Sequence, residues 1–170
     1  MRFTTTTAAI AASTAALTSA SPCGSSSNTT IAAGDIFRIL TIRSGSALQY
    51  GSLQASNRAL YINTPSQNAS CSSSTPTNYA SFFLSTDGSL YLNTDGNPPQ
   101  QLFVDRSGMG QGVIQYTTGA EQPGRNSERT GWAVDGNGDL TFKESGLQAC
   151  PGRWGRVECL VGWERESGRE

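Results

Sequence analysis

The sequence predicts an all-β fold, a single small domain built of hairpins, and three observations predict it. From Asp35 onward, short runs of β-branched, aromatic and other apolar residues alternate with clusters of Gly, Asp, Asn and Ser. Asp-Gly pairs stand between apolar flanks at Asp87-Gly88 and Asp135-Gly136, which is a strong local signal for a hairpin turn. No segment sustains the apolar period of a helix. The stretches FFLSTDGSLYL (Phe82 to Leu92) and WAVDGNGDLTF (Trp132 to Phe142) echo one another, with an aromatic start, an Asp-Gly turn and an apolar close. Repeated two-stranded units favour a closed barrel or a β-trefoil-like arrangement, because closure removes exposed strand edges. A β-sandwich is the alternative.

Residues 1–20 read as a secretory signal peptide, with a charge at Arg2, an Ala- and Thr-rich run containing Ile10 and Leu17, and the small residues Thr18-Ser19-Ala20 as a cleavage site. Residues 21–34 form a polar N-terminal segment. The β domain spans 35–151. Its expected strands are Ile36 to Ile42, Ala47 to Tyr50, Leu60 to Ile62, Ser81 to Leu84, Leu90 to Leu92, Leu102 to Val104, Val113 to Tyr116, Trp132 to Val134, Leu140 to Phe142 and Leu147 to Cys150. Residues 152–170 differ abruptly in composition. They carry four arginines and four glutamates but only Ser167 as a hydroxyl side chain, the kind of shift that a gene-model artefact such as retained intron sequence produces.

Length and composition set limits. A chain of 170 residues suits about one domain. Its 36% hydrophobic and 15% charged content is low for a globular protein, the balance being largely Ser, Thr, Asn, Gln and Gly, as in secreted hydroxyl-rich β-proteins. The 12 basic and 13 acidic residues nearly cancel, so nothing tracks a phosphate backbone and nucleic acid is not an expected partner. No run approaches the ~20 apolar residues of a bilayer-spanning helix, and no polybasic amphipathic stretch argues for a membrane surface. Neutral polymers are the expected partners.

The four cysteines, Cys23, Cys71, Cys150 and Cys159, show no CxxC spacing and have no histidine for company, so in an oxidising compartment they read as disulfide candidates with three possible pairings. Asn28-Thr29-Thr30 and Asn68-Ala69-Ser70 are N-glycosylation sequons. Ser72 to Thr77 is rich enough in hydroxyls to carry O-linked sugar.

The most distinctive stretch is FVDRSGMGQGVIQYTTGA (Phe103 to Ala120), two β-prone runs around glycines 108, 110 and 112. It predicts a hairpin with an elaborate turn. Asp105 and Arg106 are sequence neighbours, so on a strand they face opposite ways and Arg106 finds its partner elsewhere. Together with IRSGSALQY (Ile42 to Tyr50), PGRNSERTGW (Pro123 to Trp132), DGSLYL (Asp87 to Leu92) and LQACP (Leu147 to Pro151), this stretch resembles the PhiA family of secreted cell-wall proteins from filamentous fungi, over about Phe37 to Pro151. The resemblance implies a wall-associated structural protein serving formation of phialides and conidia. It favours a Cys71–Cys150 bridge, worth about 3–5 kcal/mol in the chain-entropy model. It also implies a chain that continues longer, with a further strand and cysteine.

The sequence offers little for catalysis. With no histidine, Ser-His-Asp, Cys-His and HExxH sites are excluded, and no GxSxG elbow or Walker loop is present. A glycosidase pair of Asp105 with Glu128 or Asp139 remains nominally available. Asp135 to Asp139 imitates the start of a calcium loop, but Leu140 and Gly146 stand where that loop needs glycine and a bidentate glutamate, so a polar turn is expected and no metal or cofactor. Asp105, Arg106, Tyr116 and Trp132 are the candidate ligand surface, stacking on sugar rings and bonding their hydroxyls, with core packing as the plainer reading of the aromatics, Tyr61 and Tyr91 included. The sequence therefore points to a secreted, non-enzymatic wall protein whose partners are wall polysaccharide or wall proteins. The alternative is a secreted carbohydrate-binding or defence/inhibitor β-module.

Overall fold

The computed structural model describes residues 31–67, 77–119, 122–151 and 157–161, the last four of these by backbone alone. The signal-peptide stretch, both sequons (Asn28 and Asn68), Cys23, Cys71 and most of the Ser72 to Thr77 segment lie outside the described residues.

Every described strand pairing is antiparallel. The smaller sheet has the order β1 (Ile36–Arg38), β4 (Ser81–Leu84), β5 (Leu90–Leu92). The larger has the order β8 (Ser127–Glu128), β6 (Leu102–Asp105), β7 (Val113–Tyr116), β3 (Ala59–Ile62), β12 (Val157–Val161), β11 (Ser145–Pro151), β10 (Leu140–Phe142), β9 (Trp132–Val134), with β2 (Leu53–Ser56) paired to β3. Its order begins at β8 and ends at β9 without a pairing between them, so the expected closed barrel is corrected to two open antiparallel sheets, which the β-sandwich-like alternative fits. The trefoil-like expectation rests on the same closure. The internal echo is real at the level of hairpins, but it does not dictate how hairpins are joined.

One core draws on both sheets. Phe82, Leu90 and Leu92 from the smaller sheet meet Leu53, Leu60, Ile62, Leu102, Val104, Ile114 and Phe142 from the larger. The alternation is clear on the central hairpin, where Leu102, Val104, Ile114 and Tyr116 all enter the core.

Where the strands differ from expectation, the cause is local chemistry. Ala47 to Tyr50 is a turn rather than a strand, and Tyr50 itself has φ 58°. The chain reverses there so that Ser52 bridges Leu40 and β2 follows. Strand β2, Leu53-Gln54-Ala55-Ser56, has no β-branched residue and is nonetheless buried throughout. Leu53 and Ala55 enter the core. Gln54 points the other way and donates its amide to the carbonyls of Thr64 (2.8 Å) and Asn78 (3.0 Å), pinning the segment that leaves β3. A buried amide is tolerated because it is satisfied in this way.

Both echoing hairpins turn alike. Gly88 (φ 74°) donates to the Ser85 carbonyl, and Gly138 (φ 89°) to that of Asp135. Among the turn residues only Gly88 in the one and Gly138 in the other take positive φ, so each turn is type I followed by a left-handed glycine. Strand β12 lies beyond Pro151, where the domain was expected to end, and pairs with β11 and β3. Its Val-Glu-Cys-Leu-Val run is a strand pattern masked in the sequence by the charges around it.

Candidate functional site

The glycine-rich hairpin β6–β7 supplies the centre of the site. Asp105 ends β6 and accepts a hydrogen bond at Oδ1 from the Ser107 amide (2.8 Å), while Ser107 Oγ accepts from the Gly110 amide (2.9 Å). Gly112, with φ 88°, donates to the Asp105 carbonyl and closes the turn. A side chain at Gly110 would meet the Asp105 carboxyl carbon at 2.2 Å, so this glycine is there for close approach.

Because strand residues alternate, Phe103 and Asp105 stand on the face of the sheet opposite Leu102 and Val104. Phe103 lies across from Gln115 and is only 3% exposed, yet it is no part of the main core. It lines a cleft of about 280 Å³ together with Arg58, Asp105, Gln115, Arg125 and Asn126. A second cleft, of about 230 Å³, is lined by Tyr91, Pro98, Pro99, Gln101, Thr117 and Arg129. The two adjoin, since Gln122 and Pro123 line both. Arg129 Nη2 donates to Gln122 Oε1 (2.9 Å) and holds that shared wall. The Tyr91 ring is stacked on Phe83 at 5.2 Å between centroids.

Of the candidate ligand surface, the structure brings Asp105 alone to these clefts. Tyr116 and Trp132 are core residues, 4% and 3% exposed, so for them packing is what the structure shows. The ring of Trp132 lies 4.8 Å from that of Phe142. Arg106 points away from Asp105, as alternation requires, and its Nε donates to Glu128 Oε2 at 3.0 Å, which Lys143 Nζ also reaches at 3.0 Å. Both cations lie over the Phe142 ring, at 5.7 and 5.9 Å from its centroid. Phe103, Gln115 and the Gln122-Pro123 junction were not singled out by the sequence. For Phe103 and Gln115 the available signal was phase, since they sit out of step with the core positions of the same hairpin.

Partial burial alone would raise the Glu128 pKa, but the Lys143 hydrogen bond and the charges of Arg106 and Lys143 outweigh it and hold the carboxyl below its usual 4.5. The network therefore stabilises the fold fully above that value and loses its contribution as pH falls through the lowered one. In pH-dependent thermal melts, the native protein is expected to lose more stability on acidification than Glu128→Gln, by about 0.2–1 kcal/mol given the exposure of the pair. Parallel curves would refute the assignment.

The nominal glycosidase carboxylates do not converge. Ser127 is the residue paired with Asp105, and Glu128 is paired with Val104, so Asp105 and Glu128 occupy opposite faces. Asp139 belongs to a different concavity, of about 570 Å³, lined chiefly by apolar residues such as Ile39, Leu40, Leu140 and Leu147. Asp135 Oδ1 accepts the amides of Asn137 and Asp139, both at 2.9 Å, so the calcium-like sequence forms a self-satisfied polar turn. Those two backbone hydrogen bonds also depress its pKa. No cluster of metal-ligating side chains occurs among the described residues. Cys150 is half-buried, its favoured partner Cys71 lies outside the described residues, and Cys159 sits in register with Ala149.

Residues 37–161 match the family described as PhiA-like secreted protein. The chain belongs to this family. It is 46% identical over 142 residues to cell wall protein phiA of Aspergillus fumigatus, spanning 84% of this chain and 72% of that one. It is 45% identical over 123 residues to the cell wall protein phiA of Aspergillus niger, spanning 72% and 66% respectively. With that of Emericella nidulans the figures are 46% over 118 residues, 69% and 63%. No solved structure matches the chain significantly. The protein is thus a secreted protein of the cell wall. The family match runs past Pro151 and ends with β12, so the residues that complete the larger sheet are family sequence by this measure.

Proposed function

We propose that this wall protein is a non-enzymatic structural constituent that serves asexual development, in the formation of phialides and conidia. The observation that carries the reading is family membership across residues 37–161, with relatives named cell wall protein phiA in several moulds. The non-enzymatic part draws support from geometry, because the carboxylates available for hydrolysis face apart and a general acid–base pair must converge on one bond. Export through a cleaved signal peptide, glycan at Asn28 and Asn68, and a Cys71–Cys150 bridge belong to the same reading.

Deleting the gene and restoring it in a sporulating host tests the proposal. Expected are malformed phialides and fewer conidia, with both restored by the chain carrying Asp105→Asn and Glu128→Gln together, since no carboxylate chemistry is required. Normal sporulation after deletion would overturn the developmental role, and failure of the double variant to restore it, despite normal amounts in the wall, would overturn the non-enzymatic one.

A further inference from the structure

We propose that the two adjoining clefts on either side of Gln122-Pro123 form one binding channel for a neutral polysaccharide chain, through which the protein is held in the wall. This rests on the wall-constituent reading and adds the ligand and the site. Each cleft, at about 280 and 230 Å³, is smaller than the ~300–1,000 Å³ usual for a whole small-molecule site. Two small depressions sharing one wall suit linked rings of modest size better than one large ligand.

The lining fits a sugar. The partly exposed Tyr91 with Pro98 and Pro99 gives one cleft a flat apolar surface, and the buried Phe103 backs the floor of the other. Sugar rings present C–H faces to such surfaces and hydroxyls to their edges. Around the aromatics stand the amides Gln101, Gln115, Gln122 and Asn126, each offering both a donor and an acceptor, as a hydroxyl requires. Asp105 stands with Arg58 and Arg125 in one cleft and Arg129 borders the other, so the described lining carries a small positive excess, and the guanidinium groups add fixed donors for sugar hydroxyls; the anionic control and the salt series below separate this role from selection of an anion. The backbone is set before any ligand arrives. Arg58 is held at φ 68° while its carbonyl accepts from Tyr116, and the Arg106 amide donates to the Asn126 carbonyl, tying the Gln122-to-Ser127 wall to the hairpin.

The test is calorimetric titration of the full secreted chain with laminarihexaose, chitohexaose, glucose, N-acetylglucosamine and, as an anionic control, polygalacturonate fragments. One of the neutral hexamers is expected to bind at least about tenfold more tightly than its monomer, because a second ring engages at high effective concentration. Its affinity should hold in about 0.5 M salt, where an ionic contact would be screened. Arg125 and Gln122 are exposed, so Arg125→Ala and Gln122→Ala should fold normally, as melting will confirm, and should weaken binding about tenfold, whereas Arg43→Ala, far along the chain in the 570 Å³ concavity, should not. Absence of binding to both neutral hexamers, salt-sensitive binding of the anionic fragments alone, or hexamer binding indifferent to Arg125→Ala and Gln122→Ala would each overturn the channel. None of these results would alter the deletion phenotype, so failure here is distinguishable from failure of the developmental reading.

Discussion

Phe142→Ala is expected to lower the unfolding free energy by about 3–5 kcal/mol, the range for removing a large aromatic from a packed core. Phe142 is fully buried and stands at a junction. One side packs on Trp132 in the core, with centroids 4.8 Å apart. The side chains of Arg106 and Lys143 lie over its ring on their way to Glu128. Truncation therefore opens a cavity and also removes the surface on which the two cations rest, a contact worth about 0.5–1 kcal/mol where partly exposed. Domains of this size have only about 5–15 kcal/mol of stability, so the loss is a large fraction of the whole. Urea unfolding of the purified protein reads it as a lower midpoint at nearly unchanged slope. Phe142→Leu, which keeps most of the buried area, should recover a good part of the loss. A shift below about 1 kcal/mol for the alanine variant would mean that this junction is not packed as described.

Gly110→Ala should cost about 1–3 kcal/mol, the price of overpacking. The added methyl would lie 2.2 Å from the Asp105 carboxyl carbon and 2.7 Å from its Cβ. Asp105 cannot simply rotate clear, because its Cβ is itself too close and its Oδ1 is bonded to the Ser107 amide. Two residues earlier, Gly108 meets nothing within 4 Å, so Gly108→Ala should stay within about 0.5 kcal/mol of the native protein. The contrast between two glycines in one turn is the informative measurement, and equal effects in denaturant unfolding would refute the placement of the Asp105 carboxylate. Since Asp105 lines the larger of the two clefts, Gly110→Ala should also disturb saccharide binding where Gly108→Ala does not.

Much of this molecule was legible from residue order alone. The hairpins Ser81–Leu84 with Leu90–Leu92 and Trp132–Val134 with Leu140–Phe142 follow from apolar runs around Asp-Gly turns, because turn chemistry and a two-residue side-chain period are local properties. The separate fates of Asp105 and Arg106 follow from the same period, and the family follows from the motifs around them. What escaped was whatever depends on distant partners. Strand β2 carries no strand-forming signal and exists because Leu53 and Ala55 fill the core and the Gln54 amide finds Thr64 and Asn78.

The site divides in the same way. Its residue types were visible, but Tyr116 and Trp132 were drawn into the core while Phe103 and Gln115, one step out of phase, were left to line the outer cleft. Sequence by itself determined the β class, the hairpins, the scarcity of catalytic groups and the family. Only the tertiary structure decided that the sheets stay open, which face of β6 and β7 is covered, and that segments far apart in the chain meet along Gln122-Pro123. The physical reason is range: backbone turns and side-chain alternation are settled between near neighbours, whereas burial and cleft formation depend on which remote surface arrives to exclude water.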